Sequence, residues 1–388
     1  MLSLLASFSI SLSCYLFIYT TRQIYGLFQE IKSIDPSKPN AQCWLEALNL
    51  QCNQWTWMPV FIRVYLIGIF ETIYIVVCKR GLFKGSTTQQ SNENQIDALI
   101  QSYTRKERTE LAVITGGDSG IGLEISKGLL LAGYHLIIGT RSIKEYQNTI
   151  TMLQNSTGSD KVSCIELDLS SFRSVNKFVE KVKSKVPGKD IQLLINNAGI
   201  MNVPYKMTKD NYESQCQINY LSPILLTQSL LPWINKNTGR VLFASSSTLY
   251  AINNLDTTFP YKKYKLDGLS HYAYSKAYLS QFIPQLAKTT PVKIFAYHPG
   301  TVRTKLFKHT TLFNLPFLSK IFDFIMLTAK EGSQTPLYLC LTENLEGTGT
   351  YWANTHIQKV PSVAVDGSKD NIKKLWSDIM LKCNLKVQ

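Results

Sequence analysis

The chain has 388 residues, 45% of them apolar, which is enough for one large domain with a substantial core plus extensions. Lysine and arginine exceed aspartate and glutamate by 41 − 27 = 14, a balance suited to an anionic membrane surface, a phosphorylated cofactor or nucleic acid. The basic residues are scattered rather than gathered into an arm, so no nucleic acid is expected as a partner. The eight cysteines form no CxxC pair and no Cys/His array at zinc-ligand spacing, so no metal site is expected either.

Residues 1–21 carry no charged side chain and are dominated by Leu2, Leu4, Leu5, Phe8, Ile10, Leu12, Leu16, Phe17 and Ile18. Their number matches the roughly 20 residues that cross a bilayer. A basic n-region and a small-x-small cleavage site are both missing, which favours a retained anchor over a cleaved signal peptide, although serines dilute the segment. Cleavage would instead leave a soluble secreted enzyme beginning near residue 22. A second apolar run, 55–78, is the stronger by content, but Arg63 and Glu71 interrupt it. Each costs roughly 2.5–3.5 kcal/mol at the centre of a bilayer, so the run reads either as a span or hairpin or as an amphipathic helix lying in the interface.

Lys79, Arg80 and Lys84 follow this run, whereas residues 43–54 contain no basic side chain, and the positive-inside rule then places the downstream domain in the cytosol. In that topology residues 22–54 face the lumen, where Cys43 and Cys52 could pair; two free thiols are the alternative. Residues 86–96 are polar and lack apolar periodicity. The expected organisation is a membrane-anchoring region over 1–85, with hydrophobic segments 1–21 and 55–78, a polar linker over 86–109 and a catalytic domain over 110–388. No internal repeat is visible.

The catalytic region opens with a short apolar run, 111–115, that leads into TGGDSGIG, residues 115–122, and then a helical pattern. Gly116, Gly120 and Gly122, with Ser119 and Ile121 between them, would let backbone amides and a helix N-terminus approach a pyrophosphate. The next strand, 135–139, ends in Gly139-Thr140-Arg141, with no acid where an NAD enzyme holds its ribose hydroxyls. Arg141 is placed to receive a 2′-phosphate, so NADP(H) is the expected cofactor and NAD(H) the alternative; a merely solvated Arg141 is the competing reading. Asp168, closing strand 163–167, either meets the adenine end or caps the helix that starts beside Ser171 and Phe172.

Strand 191–195 finishes in Asn196-Asn197-Ala198-Gly199, a small-residue turn with room for a cofactor. Strand 240–244 runs into Ser245, Ser246 and Ser247 at the carboxyl edge, where open α/β sheets bind ligands. Tyr272 and Lys276 sit four residues apart on one helix face, and an ammonium beside a phenol lowers its pKa from the usual ~10. Tyr261 and Lys265 repeat the spacing, so the pair alone says little. After strand 293–297 comes HPGTVRT, where Pro299 and Gly300 turn the chain toward a nicotinamide and residues 301–304 offer amides and hydroxyls. The five histidines show no metal spacing and read as structural or surface residues.

Taken in order, TGGDSGIG, NNAG, the Ser246 strand end, YAYSK and HPGTVRT resemble the short-chain dehydrogenase/reductase family over about residues 110–360. The wording of LINNAGIMNVP and YHPGTVRTKL resembles the branch that holds retinol dehydrogenases, WW-domain oxidoreductase and the X-linked dehydrogenase/reductase member. The resemblance implies an α/β fold with a Rossmann-type doubly wound parallel sheet, to which the N-terminal membrane segments are added. It implies that Tyr272 exchanges a proton with the substrate oxygen, that Lys276 holds the nicotinamide ribose and depresses the tyrosine pKa, and that Ser246 hydrogen-bonds the carbonyl. Asn219, in INYLSP, would complete a water-linked proton path to Lys276. Cofactor contacts are implied for Gly116, Ser119, Gly120, Ile121, Gly122, Arg141, Asp168, Asn197, Tyr272, Lys276, Val302 and Thr304.

Two positions depart from the pattern: Phe243 stands where the family carries asparagine, and Asp118 lies in the glycine loop. In the position of the family's variable lid, the chain carries Leu306, Phe307, Leu312, Phe313, Leu315, Phe317, Leu318, Ile321, Phe322, Phe324, Ile325, Met326 and Leu327. Such residues either pack a lid on its core or line a lipid site. The expected protein is a membrane enzyme of the endoplasmic reticulum or lipid droplet, its catalytic domain cytosolic and the Asn155 sequon unmodified. It would interconvert alcohol and carbonyl on a retinoid, steroid or polyprenol, with homo-oligomerisation left open. A noncatalytic scaffold or dinucleotide sensor is the alternative; a broken tetrad would mark it, and Asn219, Ser246, Tyr272 and Lys276 are all present.

Overall fold

A computed structural model describes residues 2–80, 89–104, 109–141, 146–186, 190–256, 267–304, 306–307, 319–365, 377 and 380–383. Ten strands occur among them: β1 Leu111–Thr115, β2 His135–Thr140, β3 Val162–Glu166, β4 Ile191–Asn196, β5 Arg240–Ala244, β6 Asn254–Leu255, β7 Lys293–His298, β8 Thr350–Ala353, β9 His356–Gln358 and β10 Ala364–Val365. Eight form one sheet in the order β3-β2-β1-β4-β5-β7-β8-β9, parallel up to β8, with β9 as an antiparallel edge.

Alternate residues of each central strand point to opposite faces, and both faces are covered by helices. Val113, Ile137, Leu194 and Val241 join one buried cluster; Ala112, Ile114, Leu136, Leu193 and Leu242 join the other. This two-sided burial is why the strands read as unbroken apolar runs. The chain reverses its winding between β1 and β4, and ligand sites of such sheets lie at the carboxyl ends flanking that reversal.

Four helices precede β1: α1 Leu2–Ile34, α2 Asn40–Gln54, α3 Val60–Tyr74, which continues into a π-helical turn Ile75–Lys79, and α4 Gln89–Ser102. The linker expected over 86–109 is thus in part a helix. Two isoleucines four residues apart, Ile96 and Ile100, are buried, and with Leu99 they give α4 one apolar stripe too short to register as periodicity. Lys84 lies outside the described residues.

The luminal placement of residues 22–54 is overturned. α2 is docked on the catalytic domain: Gln42 Nε2 donates to Ala353 O at 2.9 Å, Asn53 Nδ2 to Ile252 O at 2.6 Å, and Lys359 N to Glu46 Oε1 at 2.6 Å. A segment so bonded shares a compartment with the domain. Cys43 and Cys52 are buried free thiols, bonded to the carbonyls of Lys38 and Arg63 rather than to each other.

By length and composition, Val60–Lys79 would suffice to cross a bilayer. Its polar interruptions, however, face protein: Arg63, Val64, Ile67 and Glu71 are the buried residues of α3, while Phe61, Ile62, Tyr65, Ile69 and Ile73 are exposed on its other side. The helix is apolar toward its surroundings and polar toward the domain, and the cost of burying Arg63 and Glu71 in lipid does not arise.

Candidate active site

β1 ends at Thr115, and helix α5, Gly120–Leu131, starts five residues later. Gly120 turns the chain with φ +54°, and a Cβ on Gly122 would stand 2.0 Å from Gly116 O, so only glycine allows the helix to return this close to the strand end. The NNAG turn after β4 is braced on the same point: Thr115 Oγ1 accepts Asn197 N and Ala198 N, both at 3.1 Å, and Asn197 Nδ2 donates to Gly116 O at 3.2 Å. Asp118 does not line the cleft here; its charge acts on Cys164 beneath. Phe243 is fully buried within β5 as a core residue.

A cleft of about 1720 Å³ opens over these turns. It exceeds the roughly 300–1,000 Å³ of ordinary ligand pockets and has room for a dinucleotide and a second molecule. Gly116, Ser119, Gly120, Ile121, Gly122, Asn197 and Thr304 line one part, and Arg141 and Asp168 stand at its far end. Asp168 is not the helix cap: its Oδ1 holds Ser170 N at 2.9 Å and Ser170 Oγ at 2.7 Å, and Ser171 caps the following helix, Phe172–Lys185. Val302 does not reach the cleft; its side chain is buried with Ile75 and Leu327.

At the centre, the helix Gly268–Ala287 presents Tyr272 and Lys276 to the cleft. Lys276 Nζ donates to Ala244 O at 2.6 Å and lies 5.6 Å from the Tyr272 ring centre. Ser246 is behind the wall, its side chain hydrogen-bonded to that of Tyr272, while Ser245 lines the cleft and shares a hydrogen bond with Ser280. Asn219 sits in a π-helical turn, Gln217–Leu221, of a kind frequent at functional sites. Its amide brackets Ile200, accepting from Ile200 N and donating to Ile200 O, each at 2.9 Å, and reaches Ser275 Oγ at 3.1 Å. A Cβ on Gly199 would lie 3.1 Å from Asn219 Oδ1 and 3.8 Å from Lys276 Nζ, so the two side chains converge beneath this glycine.

The expected depression of the tyrosine pKa is reversed. Burial pushes Tyr272 up to about 12; the Ser246 hydrogen bond draws it back only in part, and the charge of Glu71 adds to the rise. Burial also brings Lys276 down to about 7. Each group, desolvated, favours its neutral form. Since Lys276 falls from an ordinary 10.5 to about 7, the unfolded chain holds a proton between these values that the folded chain has released. Stability therefore rises with pH across this window and is lost as pH falls toward 7, at up to about 1.4 kcal/mol per pH unit. Urea unfolding from pH 7 to 9 should show this slope in the wild type and lose it in Lys276→Met; equal slopes would refute it.

The substrate end is apolar. Leu306, Phe307, Phe322 and Met326 line the cleft opposite Ile200 and Met201, whereas Ile321 and Phe324 of the same lid are exposed; residues 312–318 of the expected lid lie outside the described residues. Arg80, at the end of the α3 extension, holds this lid: it donates to Phe324 O at 2.9 Å and Met326 O at 2.7 Å and pairs with Glu331 at 2.6 Å. Neither Arg80 nor Glu71, whose carboxylate meets His298, was singled out for the site from sequence. The signal was present as lone charges in or beside an apolar run, which mark a face turned to protein as readily as an obstacle to insertion.

Residues 110–313 match the family model for short chain dehydrogenase. The chain belongs to that family. It is 30% identical to polyprenol dehydrogenase of Danio rerio over 346 residues, covering 84% of this chain and 97% of that protein. It is 31% identical to retinol dehydrogenase 12 of Homo sapiens over 249 residues, covering 63% of this chain and 78% of that one. A crystal structure of an uncharacterised protein from Mycobacterium paratuberculosis superposes with a TM-score of 0.56 at 23% identity, over 74% of this chain and 98% of that one, which shows the shared fold. This short-chain dehydrogenase is an NAD(P)-dependent oxidoreductase of the retinol dehydrogenase-like branch.

Proposed function

We propose that the chain is a membrane-associated, NADP(H)-preferring oxidoreductase that interconverts an alcohol and a carbonyl on a hydrophobic, lipid-like substrate of the retinoid, steroid or polyprenol class. The observation that carries this is one continuous cleft with Arg141 at one end, Tyr272 and Lys276 in the middle and the apolar lid at the other. The names of the similar polyprenol and retinol dehydrogenases support the substrate class.

The glycine turn, Asn197 and Thr304 would hold the dinucleotide, with Arg141 beside its adenosine phosphate, and the bound nicotinamide supplies the hydride. Tyr272 then acts on the substrate oxygen, giving a proton on reduction and taking one on oxidation. Ser246, hydrogen-bonded to Tyr272, orients its hydroxyl toward the substrate oxygen. Lys276 and Asn219 form the polar floor through which the proton is replaced. The turn residues Ser119 and Ile121 complete the cofactor wall.

Residues 1–85 serve as the membrane-anchoring region of the catalytic domain 110–388, on the cytosolic face of the endoplasmic reticulum or a lipid droplet. Residues 1–21 insert, and α3 lies in the interface on Phe61, Tyr65, Ile69 and Ile73, exposed beside a lid that also exposes Ile321 and Phe324.

The test is conversion of a membrane-lipid extract by the detergent-purified chain with NADPH or NADH, products read by mass. Turnover favouring NADPH is expected, and Arg141→Ala should lower NADPH efficiency by about tenfold, the scale of one charge-assisted phosphate contact, while leaving NADH unchanged. Tight cofactor binding without turnover of any lipid would favour the sensor instead; an unchanged NADPH preference in Arg141→Ala would remove Arg141 from the phosphate site.

A further inference from the structure

The loop that follows β7 closes one side of the cleft through Pro299, Arg303 and Thr304, yet it is held from behind by a residue outside the matched family segment, which begins at 110. That residue is Glu71. Its Oε1 lies 2.7 Å from His298 Nε2, and its Oε2 accepts the Thr301 hydroxyl at 2.5 Å. The Ser247 side chain, next to Ser246, is hydrogen-bonded to the same carboxylate. Three polar groups from two catalytic loops thus meet on one side chain of α3.

The carboxylate is buried, and burial alone would raise its pKa; the His298 imidazole and the hydrogen bonds from His298, Ser247 and Thr301 outweigh this and hold it below the ordinary range. An ionised carboxylate can only accept, so His298 donates to it through Nε2. A charge at this depth persists where it is paired and fully hydrogen-bonded. α3 itself rests on the turn Ser247–Ala251 and on the helix that carries Tyr272 and Lys276, so the position of Glu71 is tied to that of the tetrad.

We infer that Glu71 is a positioning residue for the reaction: α3, from the N-terminal region, fixes the 298–304 loop and the Ser246–Ser247 strand end, and so completes the nicotinamide side of the cleft. The dehydrogenase module does not supply this group itself. The bonds of the Glu71 carboxylate and cofactor affinity are therefore linked. The inference rests on the cofactor reading given above.

The full chain in detergent is titrated with NADPH by fluorescence, alongside Glu71→Gln, Glu71→Asp and Ile67→Ala, and each chain's Tm is recorded. Ile67 is a fully buried packing residue one turn earlier on α3. Glu71→Gln should raise the Kd for NADPH by about tenfold, the scale of hydrogen bonds to a charged group, and Glu71→Asp should restore part of it. Ile67→Ala should lower Tm and leave the Kd unchanged. Should Glu71→Gln fail to fold, Thr301→Val removes one of the three bonds and should weaken NADPH binding by a smaller factor. A wild-type Kd in Glu71→Gln, or in Thr301→Val where that stands in, overturns the inference, as does an equal loss of affinity in Ile67→Ala. A wild-type chain that binds neither NADPH nor NADH overturns the cofactor reading along with it.

Discussion

Tyr272→Phe is expected to lower turnover by about 10²- to 10⁴-fold, the usual contribution of a positioned proton donor, with NADPH affinity kept within a few-fold. The substitution removes one hydroxyl from a site whose shape is set by other groups. Lys276 stays bonded to Ala244 O, Asn219 stays bonded to Ile200, and the Gly268–Ala287 helix retains its Asp267 cap on Ser270 N. What is lost is the only tyrosine hydroxyl that both lines the cleft and is hydrogen-bonded to Ser246 among the described residues. Burial keeps that phenol protonated at neutral pH, the form needed to give a proton during reduction. Single-turnover kinetics with NADPH separate the chemical step from binding. Unchanged turnover in Tyr272→Phe would transfer the proton role to another group and sink the tetrad assignment.

Arg80→Ala should cost about 3–5 kcal/mol, the usual result of stranding one partner of a buried ion pair. The side chains of Arg80 and Glu331 are 4% and 1% exposed, and the guanidinium also satisfies the carbonyls of Phe324 and Met326. Glu331 additionally closes a capping box with Thr328 at the start of the helix Ala329–Gly332. Without Arg80, Lys79 is the nearby cation that still acts on Glu331, so the loss should fall toward the lower end of that range. Urea midpoints of Arg80→Ala, Glu331→Gln and the double variant measure the coupling. The double variant should recover part of the loss, because the stranded charge is gone. A single variant within about 1 kcal/mol of wild type would show the pair to be no stronger than a surface bridge.

Most of the sheet was legible because each central strand is buried on both faces and writes itself as a run of apolar residues, as β1 and β4 do. The glycine turn was equally plain, since strand, Gly116–Gly122 and helix come in an order that few other structures use. What escaped was whatever depends on which way an isolated residue faces. Ile96 and Ile100 make α4 a packed helix within a polar stretch that reads as a linker. Arg63 and Glu71 look like obstacles to a membrane span, and Arg80 like its basic flank, until α3 is seen with its polar side against the domain. The tyrosine pKa went the other way because desolvation depends on depth, which spacing along a helix does not encode. The side chain of Val302 was misplaced for a related reason: a residue inside a correctly recognised loop can still point into the core.

No disulfide joins the seven cysteines among the described residues, and burial raises the thiol pKa of six of them, to about 12 in Cys52, Cys340 and Cys383 and to about 11 in Cys164. A thiol with a pKa near 12 is ionised in only about one molecule in 10⁴–10⁵ at physiological pH, and it is the thiolate that reacts with electrophiles. Slow reaction with alkylating reagents is therefore expected of the folded chain at Cys52, Cys340 and Cys383. Their modification rate becomes a clock for transient opening, read separately at α2 through Cys52, at the helix Gln334–Leu341 through Cys340 and at residues 380–383 through Cys383.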